Sequence, residues 1–207
     1  MRRQLALYCL ATALAILPGC ASNKVLVPPR VDLSRYDTVG IIIFTSNDSS
    51  DISAYTTQKF MERVHAAQAG VRMLELGSER QVLRAIEHDS LDFEAMRAIG
   101  RKWGVDAVFA GHLELEAVKP NFKLTTLVKS MSLRAEVEGS LRTRIVETES
   151  GATVWTSGAK TKAQVAYVDL ISRGPISVGA NDPESAYGEL IHTLASRVTV
   201  DFYSHWR

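Results

Sequence analysis

Three side chains with metal-ligand chemistry follow one another at two-residue spacing in the middle of the chain. They are His112, Glu114 and Glu116, within residues 106–118. On a β-strand this spacing places them on one face, about 7 Å apart. Metal ligands must converge to about 2.0–2.2 Å from one ion, which a straight strand does not achieve alone. We therefore expect a solvated face whose carboxylates pair with arginines of a neighbouring strand, and no metal or other cofactor.

The residue types of a hydrolytic triad also occur, but as direct neighbours. His88, Asp89 and Ser90 point in divergent directions, so they cannot line up a nucleophile, a base and an orienting carboxylate. The loop at residues 45–51 lacks glycine and carries two carboxylates that would repel phosphate. These patterns predict a protein that is not an enzyme.

Cys20 has the best-defined chemistry in the chain. A short positively charged start precedes an apolar run at residues 5–17, and the tetrapeptide Leu-Pro-Gly-Cys ends at Cys20. This order is typical of a secretory signal peptide, and 13 apolar residues are too few to span a bilayer core, which needs about 20. The tetrapeptide resembles a lipobox, in which the cysteine thiol accepts a diacylglyceryl group. The chain is then cut between Gly19 and Cys20.

A lipid on Cys20 makes the membrane the first expected partner. Three acyl chains, at about 0.8 kcal/mol per buried methylene, give almost permanent attachment. Ala21 and Ser22 follow in place of an aspartate, which is similar to the sorting pattern for the outer membrane. We predict a signal peptide at residues 1–19, a lipidated tether at residues 20–35 and a periplasmic domain at residues 36–207.

The mature chain has the size and charge of one ordinary domain. From Cys20 onwards it has 188 residues, with 22 basic and 23 acidic side chains and a formal charge of −1. Because this balance lacks a basic footprint, we predict no nucleic-acid partner. Cys9 lies in the predicted signal peptide, so disulfides and thiolate metal sites are excluded. The tether residues 21–34 reach at most about 50 Å, which keeps the domain near the membrane.

Apolar periodicity predicts a single α/β domain, with a mixed sheet flanked by helices. A continuous apolar run at residues 39–44 is typical of a strand covered on both faces. The predicted strands cover residues 39–44, 71–76, 106–118, 132–148 and 153–165. Predicted helices follow caps at Ser53, Ser78 and Asp182, and another runs from about Asp92 to Trp103 and ends at Gly104.

The last three predicted strands carry an uncovered charged face. The strand at residues 106–118 is apolar at first and alternates afterwards, so its first half is covered on both faces and its second half on one. Cross-strand charges on such a face form either a solvated ladder or a protein interface, for which arginine is well suited. Our candidates for partner binding are Arg134, Arg142, Arg144, Lys160 and Lys162.

Three stretches resemble a bacterial superfamily. They are residues 39–44 (VGIIIF) with Asn47, residues 100–111 (GRKWGVDAVFAG) and residues 144–155 (RIVETESGATVW). Over residues 36–205 the chain is similar to the superfamily that groups the curli-secretion lipoprotein CsgG, the penicillin-binding protein activator LpoB and the TolB amino-terminal domain. The resemblance implies a non-catalytic outer-membrane lipoprotein that binds and assists an envelope assembly, secretion or cell-wall synthesis machine.

Two departures from this resemblance bear on the partner. LpoB-like activators carry a long linker, whereas the short tether here favours a partner close to the membrane. CsgG-like proteins form a barrel from inserted hairpins, and each spanning strand needs about 9–11 alternating residues. Of the candidate inserts, residues 119–131 break that alternation, and residues 166–181 contain Asp169, Arg173, Gly174 and Pro175, so neither readily supplies two spanning strands. A homo-oligomeric pore or ring is therefore the first alternative, and a periplasmic hydrolase with carboxylates distant in sequence is the second.

Overall fold

The computed structural model describes residues 24–48, 50–116, 119–120, 134–166 and 183–207. The predicted signal peptide, Cys20 and most of both candidate inserts lie outside these residues. The described chain divides into two units, one formed by Pro28–Ser204 and a small one that holds residues 24–27 and His205–Arg207. No helix in the described ranges is long and apolar enough to cross a membrane.

Short strands alternate with helices along the described chain. The elements in chain order are β1 (Leu26–Val27), β2 (Val39–Ile43), β3 (Thr45–Ser46), α1 (Ser50–Ala67), β4 (Met73–Ser78), α2 (Glu79–Ile86), α3 (Phe93–Trp103), β5 (Ala107–Leu115), β6 (Lys119–Pro120), β7 (Arg134–Glu147), β8 (Thr153–Ala166), α4 (Pro183–Val198), a 3-10 turn (Val200–Phe202) and β9 (His205–Trp206). β1 pairs with β9, and the other described strands form one sheet. The predicted α/β class with a mixed sheet is confirmed.

The sheet is parallel on one side and antiparallel on the other. β4 and β5 flank β2 and run parallel to it, with Val39 opposite both Met73 and Ala107. β7 pairs antiparallel with β5, and β8 pairs antiparallel with β7. The short strands β3 and β6 pair with β5 and β7 respectively. The last three predicted strands correspond to β5, β7 and β8.

Side-chain caps begin the second and third helices, and the predicted capping box at Ser78 and the predicted end at Gly104 are confirmed. Ser78 caps α2 through a capping box, in which its side chain accepts from the Gln81 N–H and the Gln81 side chain accepts from the Ser78 N–H at 2.9 Å. Asp92 caps α3 by accepting from the Ala95 N–H at 2.9 Å. Gly104 ends α3 in the left-handed region, with a φ of 65°.

The first helix begins earlier than predicted, at Ser50, and the prediction that Ser53 caps it is wrong. Ser53 is buried inside α1, where its carbonyl accepts from the Thr57 hydroxyl at 2.8 Å. The Thr56 hydroxyl donates to the Ile52 carbonyl in the same way, at 2.7 Å. Because each hydroxyl bonds four residues back, the polar side chains are satisfied within the helix and do not end it.

Two cores lie on opposite sides of the sheet. The larger core is packed beneath α1 and α4 and contains Phe109, which is fully buried. The Phe109 ring lies 5.0 Å from the Phe60 ring and 5.9 Å from the Phe202 ring, measured between centroids. The smaller core lies beneath α2 and α3 and includes Val82 and Met96. This second core covers only part of its side of the sheet.

The folded unit begins before the predicted end of the tether. Leu33 is fully buried, and its N–H donates to the Gln68 side-chain oxygen at 2.8 Å. The Gln68 side-chain nitrogen donates to the Val31 carbonyl and, at 3.2 Å, to the Phe202 carbonyl. The Val31 N–H donates to the Asp201 carbonyl at 3.1 Å. Residues 28–35, predicted as tether, therefore lie in the Pro28–Ser204 unit.

Arg35 and Tyr36 fasten the same segment to the end of β7. The Tyr36 hydroxyl donates to the Glu147 carboxylate at 3.0 Å, and Arg35 pairs with that carboxylate at 3.2 Å. Arg35 also donates to the Tyr36 hydroxyl, and its guanidinium carbon lies 4.7 Å from the ring centroid. Burial raises the pKa of Tyr36, so the phenol stays protonated and donates at neutral pH.

Candidate binding face

One side of β5, β7 and β8 lies uncovered in the described part of the chain. Val108, near the start of β5, is buried in the core beneath α2 and α3, whereas His112 and Glu114 on the same side of β5 are exposed. The predicted change from two covered faces to one along this strand is confirmed. We call the uncovered side the charged face, and its described residues are His112, Glu114, Glu116, Glu138, Ser140, Arg142, Arg144, Thr156, Gly158, Lys160 and Lys162.

Ion pairs link neighbouring strands across the charged face. Arg142 of β7 lies 3.5 Å from Glu114 of β5. Lys160 of β8 lies 3.1 Å from Glu116, one residue beyond β5. The predicted pairing with an arginine of the next strand is confirmed for Glu114, whereas Glu116 pairs with a lysine. Each of these exposed pairs contributes only about 0.2–1 kcal/mol to folding.

Glu138 is the least exposed carboxylate on the charged face. It pairs with Lys160 and also with Lys162, at 3.3 Å. Its side chain is 18% exposed, against 50% for Glu114. Both lysine candidates are thus neutralised by carboxylates of the same face. On β8, the charged face therefore presents lysines that are already paired with carboxylates.

Arg144 differs from the other basic candidates. It lies on β7 between Ala110 and Thr156, is exposed, and forms no ion pair with any side chain of the described residues. Arg134 lies at the start of β7, where the structure describes the backbone only. Among the described residues of the charged face, Arg144 is therefore exposed without a carboxylate partner, and its guanidinium is available to a partner protein or to solvent.

Two small residues create a groove in the charged face. Gly158 lies opposite Arg142 and Ser140 lies opposite Lys160 in the β7–β8 register. The groove has a volume of about 510 Å³. Its rim carries both signs of charge, from Glu114, Glu116, Glu138, Arg142 and Lys160. Sequence reasoning missed this groove, although the interruption of charged alternation at Ser140 and Gly158 was its signal.

Asn47 fixes the end of β5 that carries two of the carboxylates. Its side-chain nitrogen donates to the Leu115 carbonyl at 2.9 Å, and its side-chain oxygen accepts from the Leu115 N–H at 2.9 Å. The amide thus makes the two bonds that another strand residue would make. Leu115 lies between Glu114 and Glu116, so these bonds hold both carboxylates in place.

Replacing Asn47 by Ala should cost the domain about 1–2 kcal/mol, because two side-chain bonds to backbone groups are lost together. The free energy of unfolding in urea measures this cost. Gln58→Ala is the matched control, since the Gln58 amide is exposed and donates to an exposed carboxylate, that of Glu62. An Asn47→Ala protein as stable as the control would show that the two bonds do not hold β5.

The hydrogen bonds of the residues singled out by sequence do not bring a nucleophile, a base and an orienting carboxylate together. His112 Nδ1 lies 2.8 Å from the Thr45 hydroxyl. The Ser90 hydroxyl donates to Asp92 at 3.4 Å, and the His88 N–H donates to a carbonyl in the last turn of α2. Within the described residues, no three His, Cys, Asp or Glu side chains are placed to hold a metal ion.

Comparison with known proteins gives matches among solved structures only. No protein-family profile matches the chain, and no curated protein matches it. The PelC dodecamer from Paraburkholderia phytofirmans is 12% identical, with 88% of this chain and 98% of that chain covered and a TM-score of 0.47. Lipoprotein GNA1162 from Neisseria meningitidis is 11% identical, with 64% and 87% covered and a TM-score of 0.39.

The LpoB C-terminal domain from Escherichia coli is also similar, at 11% identity, with 63% of this chain and 87% of that chain covered and a TM-score of 0.36. The neighbours thus include bacterial lipoproteins, among them LpoB, which the sequence resemblance named. The wider grouping with CsgG and the TolB amino-terminal domain stays a prediction. At these identities none of the matches assigns a function to the chain.

Proposed function

We propose that the protein is a non-catalytic outer-membrane lipoprotein, anchored through Cys20. Its periplasmic domain binds and assists an envelope assembly, secretion or cell-wall synthesis machine close to the membrane. The charged face carries this proposal, because a side of the sheet that no described residue covers, beside the smaller core and backed by the larger one, is available for a partner. The lipobox at residues 17–20 supports the anchor.

The charge arrangement favours a protein partner. The face combines paired charges, one outward-directed arginine and a groove whose rim holds both signs. Complementary charges across an interface speed association and suppress wrong partners more than they add affinity. Arginine is also enriched at the centres of protein interfaces. A complementary partner surface would place carboxylates opposite Arg144 and basic side chains opposite the carboxylates at the rim of the groove.

The short tether favours a partner near the membrane. Residues 21–27 separate Cys20 from the Pro28–Ser204 unit, and these seven residues reach at most about 25 Å. This reach is about half of that expected if the tether ended at residue 34. A partner embedded in the outer membrane, or bound at its periplasmic surface, lies within this distance.

Reversing both face arginines, with Arg142→Glu and Arg144→Glu together, should reduce recovery of the partner roughly tenfold or more, because charge pairs across an interface couple strongly. Recovery is measured by cross-linking in intact cells. Arg80→Glu with Arg84→Glu is the matched control, since both arginines are exposed on α2, outside the charged face, and the net charge changes equally.

A charge swap separates partner contact from folding of the face. Glu114→Arg combined with Arg142→Glu preserves the cross-strand pair and the net charge but exchanges their positions. Recovery should stay reduced in the swap, whereas thermal stability should match that of the wild type. Equal recovery in the face variants and the α2 control would refute the charged face as the contact.

A further inference from the structure

The small unit is a two-stranded ribbon with an apolar side. Leu26 lies opposite Trp206 and Val27 opposite His205. The Val25 N–H and carbonyl exchange two hydrogen bonds of 3.0 Å with Arg207. Because directly opposed residues of antiparallel strands share a face, Leu26 and Trp206 project together.

The apolar side of the ribbon is largely exposed. Trp206 is 64% exposed and Leu26 is 49% exposed. Lys24 lies two residues before Leu26 and Arg207 directly follows Trp206, and both of these basic side chains are exposed. The ribbon thus combines an indole, an aliphatic side chain and two cations, although it spans only two residue pairs.

We propose that this ribbon lies in the headgroup region of the outer membrane, with Trp206 and Leu26 inserted and Lys24 and Arg207 beside lipid phosphates. This inference rests on the lipid anchor of the proposed function. Only residues 21–23 separate Cys20 from Lys24, so the ribbon begins within about 15 Å of the acylated residue.

The short distance between the ribbon and Cys20 favours the membrane as the surface that contacts Leu26 and Trp206. Tryptophan is enriched at membrane–water interfaces because its ring is apolar and its N–H remains available to water or headgroups. Basic side chains near the surface are attracted to anionic lipids. A second copy is a poor occupant, because stable interfaces bury about 1,200–2,000 Å² and two residue pairs supply only a small part of that area.

Quenching of tryptophan fluorescence by brominated lipids tests the insertion. The protein starts at residue 20, carries Cys20→Ser and is held on nickel-chelating anionic vesicles through an amino-terminal histidine tag, so that the test does not depend on lipidation. Bromine atoms near the headgroup end of the acyl chains should quench the emission of Trp206, one of three tryptophans in the chain. The quenching should disappear in Trp206→Phe, which assigns the signal.

A matched pair of substitutions tests the apolar side. Leu26→Ser should reduce the quenching by roughly half or more, because the aliphatic neighbour no longer inserts. Val200→Ser is the control, since Val200 is 63% exposed and lies outside the ribbon. Equal emission in brominated and plain vesicles would overturn the proposal.

Two further readouts separate the remaining outcomes. Shielding of Trp206 in solution without vesicles, together with a dimeric mass, would show that a second copy covers the ribbon and would overturn the membrane assignment. Mass spectrometry of the amino-terminal peptide from cells reports separately on Cys20. An unmodified Cys20 beside quenched Trp206 would refute the lipid anchor and leave the ribbon's membrane contact established.

Discussion

Cys20→Ser should abolish lipid incorporation and leave a precursor that still contains residues 1–19. In the proposed anchor the thiol accepts the diacylglyceryl group, and a few per cent of an ordinary cysteine is thiolate at pH 7, whereas a serine hydroxyl stays protonated. Because acylation comes before cleavage, the serine chain should be neither acylated nor cut between Gly19 and residue 20. Labelling with radioactive palmitate and the mass of the amino-terminal peptide measure both effects.

Cys9→Ser is the matched control for this prediction. Cys9 is the other cysteine of the chain and lies in the apolar run of the predicted signal peptide. Its replacement should leave palmitate incorporation and cleavage unchanged, because only the cysteine at the cut receives lipid. Equal labelling of the Cys20→Ser and wild-type chains, or an unmodified wild-type terminus, would contradict the assignment of the anchor.

The charged face was predictable because β-strands have a side-chain period of two. Alternation at Arg142 and Arg144 between the apolar residues Leu141 and Ile145 assigns each side chain to a face wherever the strand lies in the sheet. The charged face is therefore encoded locally. The partners of individual charges depend on register, and the predicted arginine partner is wrong for Glu116, which pairs with Lys160 of β8.

The features that the sequence did not reveal depend on contacts between distant segments. Asn47 bonds to Leu115, which lies 68 residues away, and Gln68 joins segments 37 residues before it and 134 residues after it. Neither residue is part of a periodic pattern of apolar side chains. The sequence around each amide does not indicate which distant backbone groups it bonds. The boundary of the tether was misplaced for the same reason, because a single buried residue, Leu33, carries no periodicity.

Gln68→Ala should destabilise the domain by about 2–4 kcal/mol. The substitution removes three bonds at once and leaves the Leu33 N–H and the Val31 and Phe202 carbonyls without their side-chain partner. An unsatisfied buried backbone group costs about 1–3 kcal/mol, and partial access of water reduces the total. Urea unfolding measures the loss, and hydrogen exchange at the Leu33 amide locates it.

Gln68→Glu distinguishes the three bonds from one another. The glutamate still accepts from the Leu33 N–H but presents an oxygen, in place of a donor, to the two carbonyls. Exchange at Leu33 should therefore remain slow in Gln68→Glu and become fast in Gln68→Ala, while both variants lose stability relative to the Gln58→Ala control. Slow Leu33 exchange in Gln68→Ala would mean that packing alone holds the segment. Fast exchange in Gln68→Ala would show that the Gln68 amide determines where the folded unit begins.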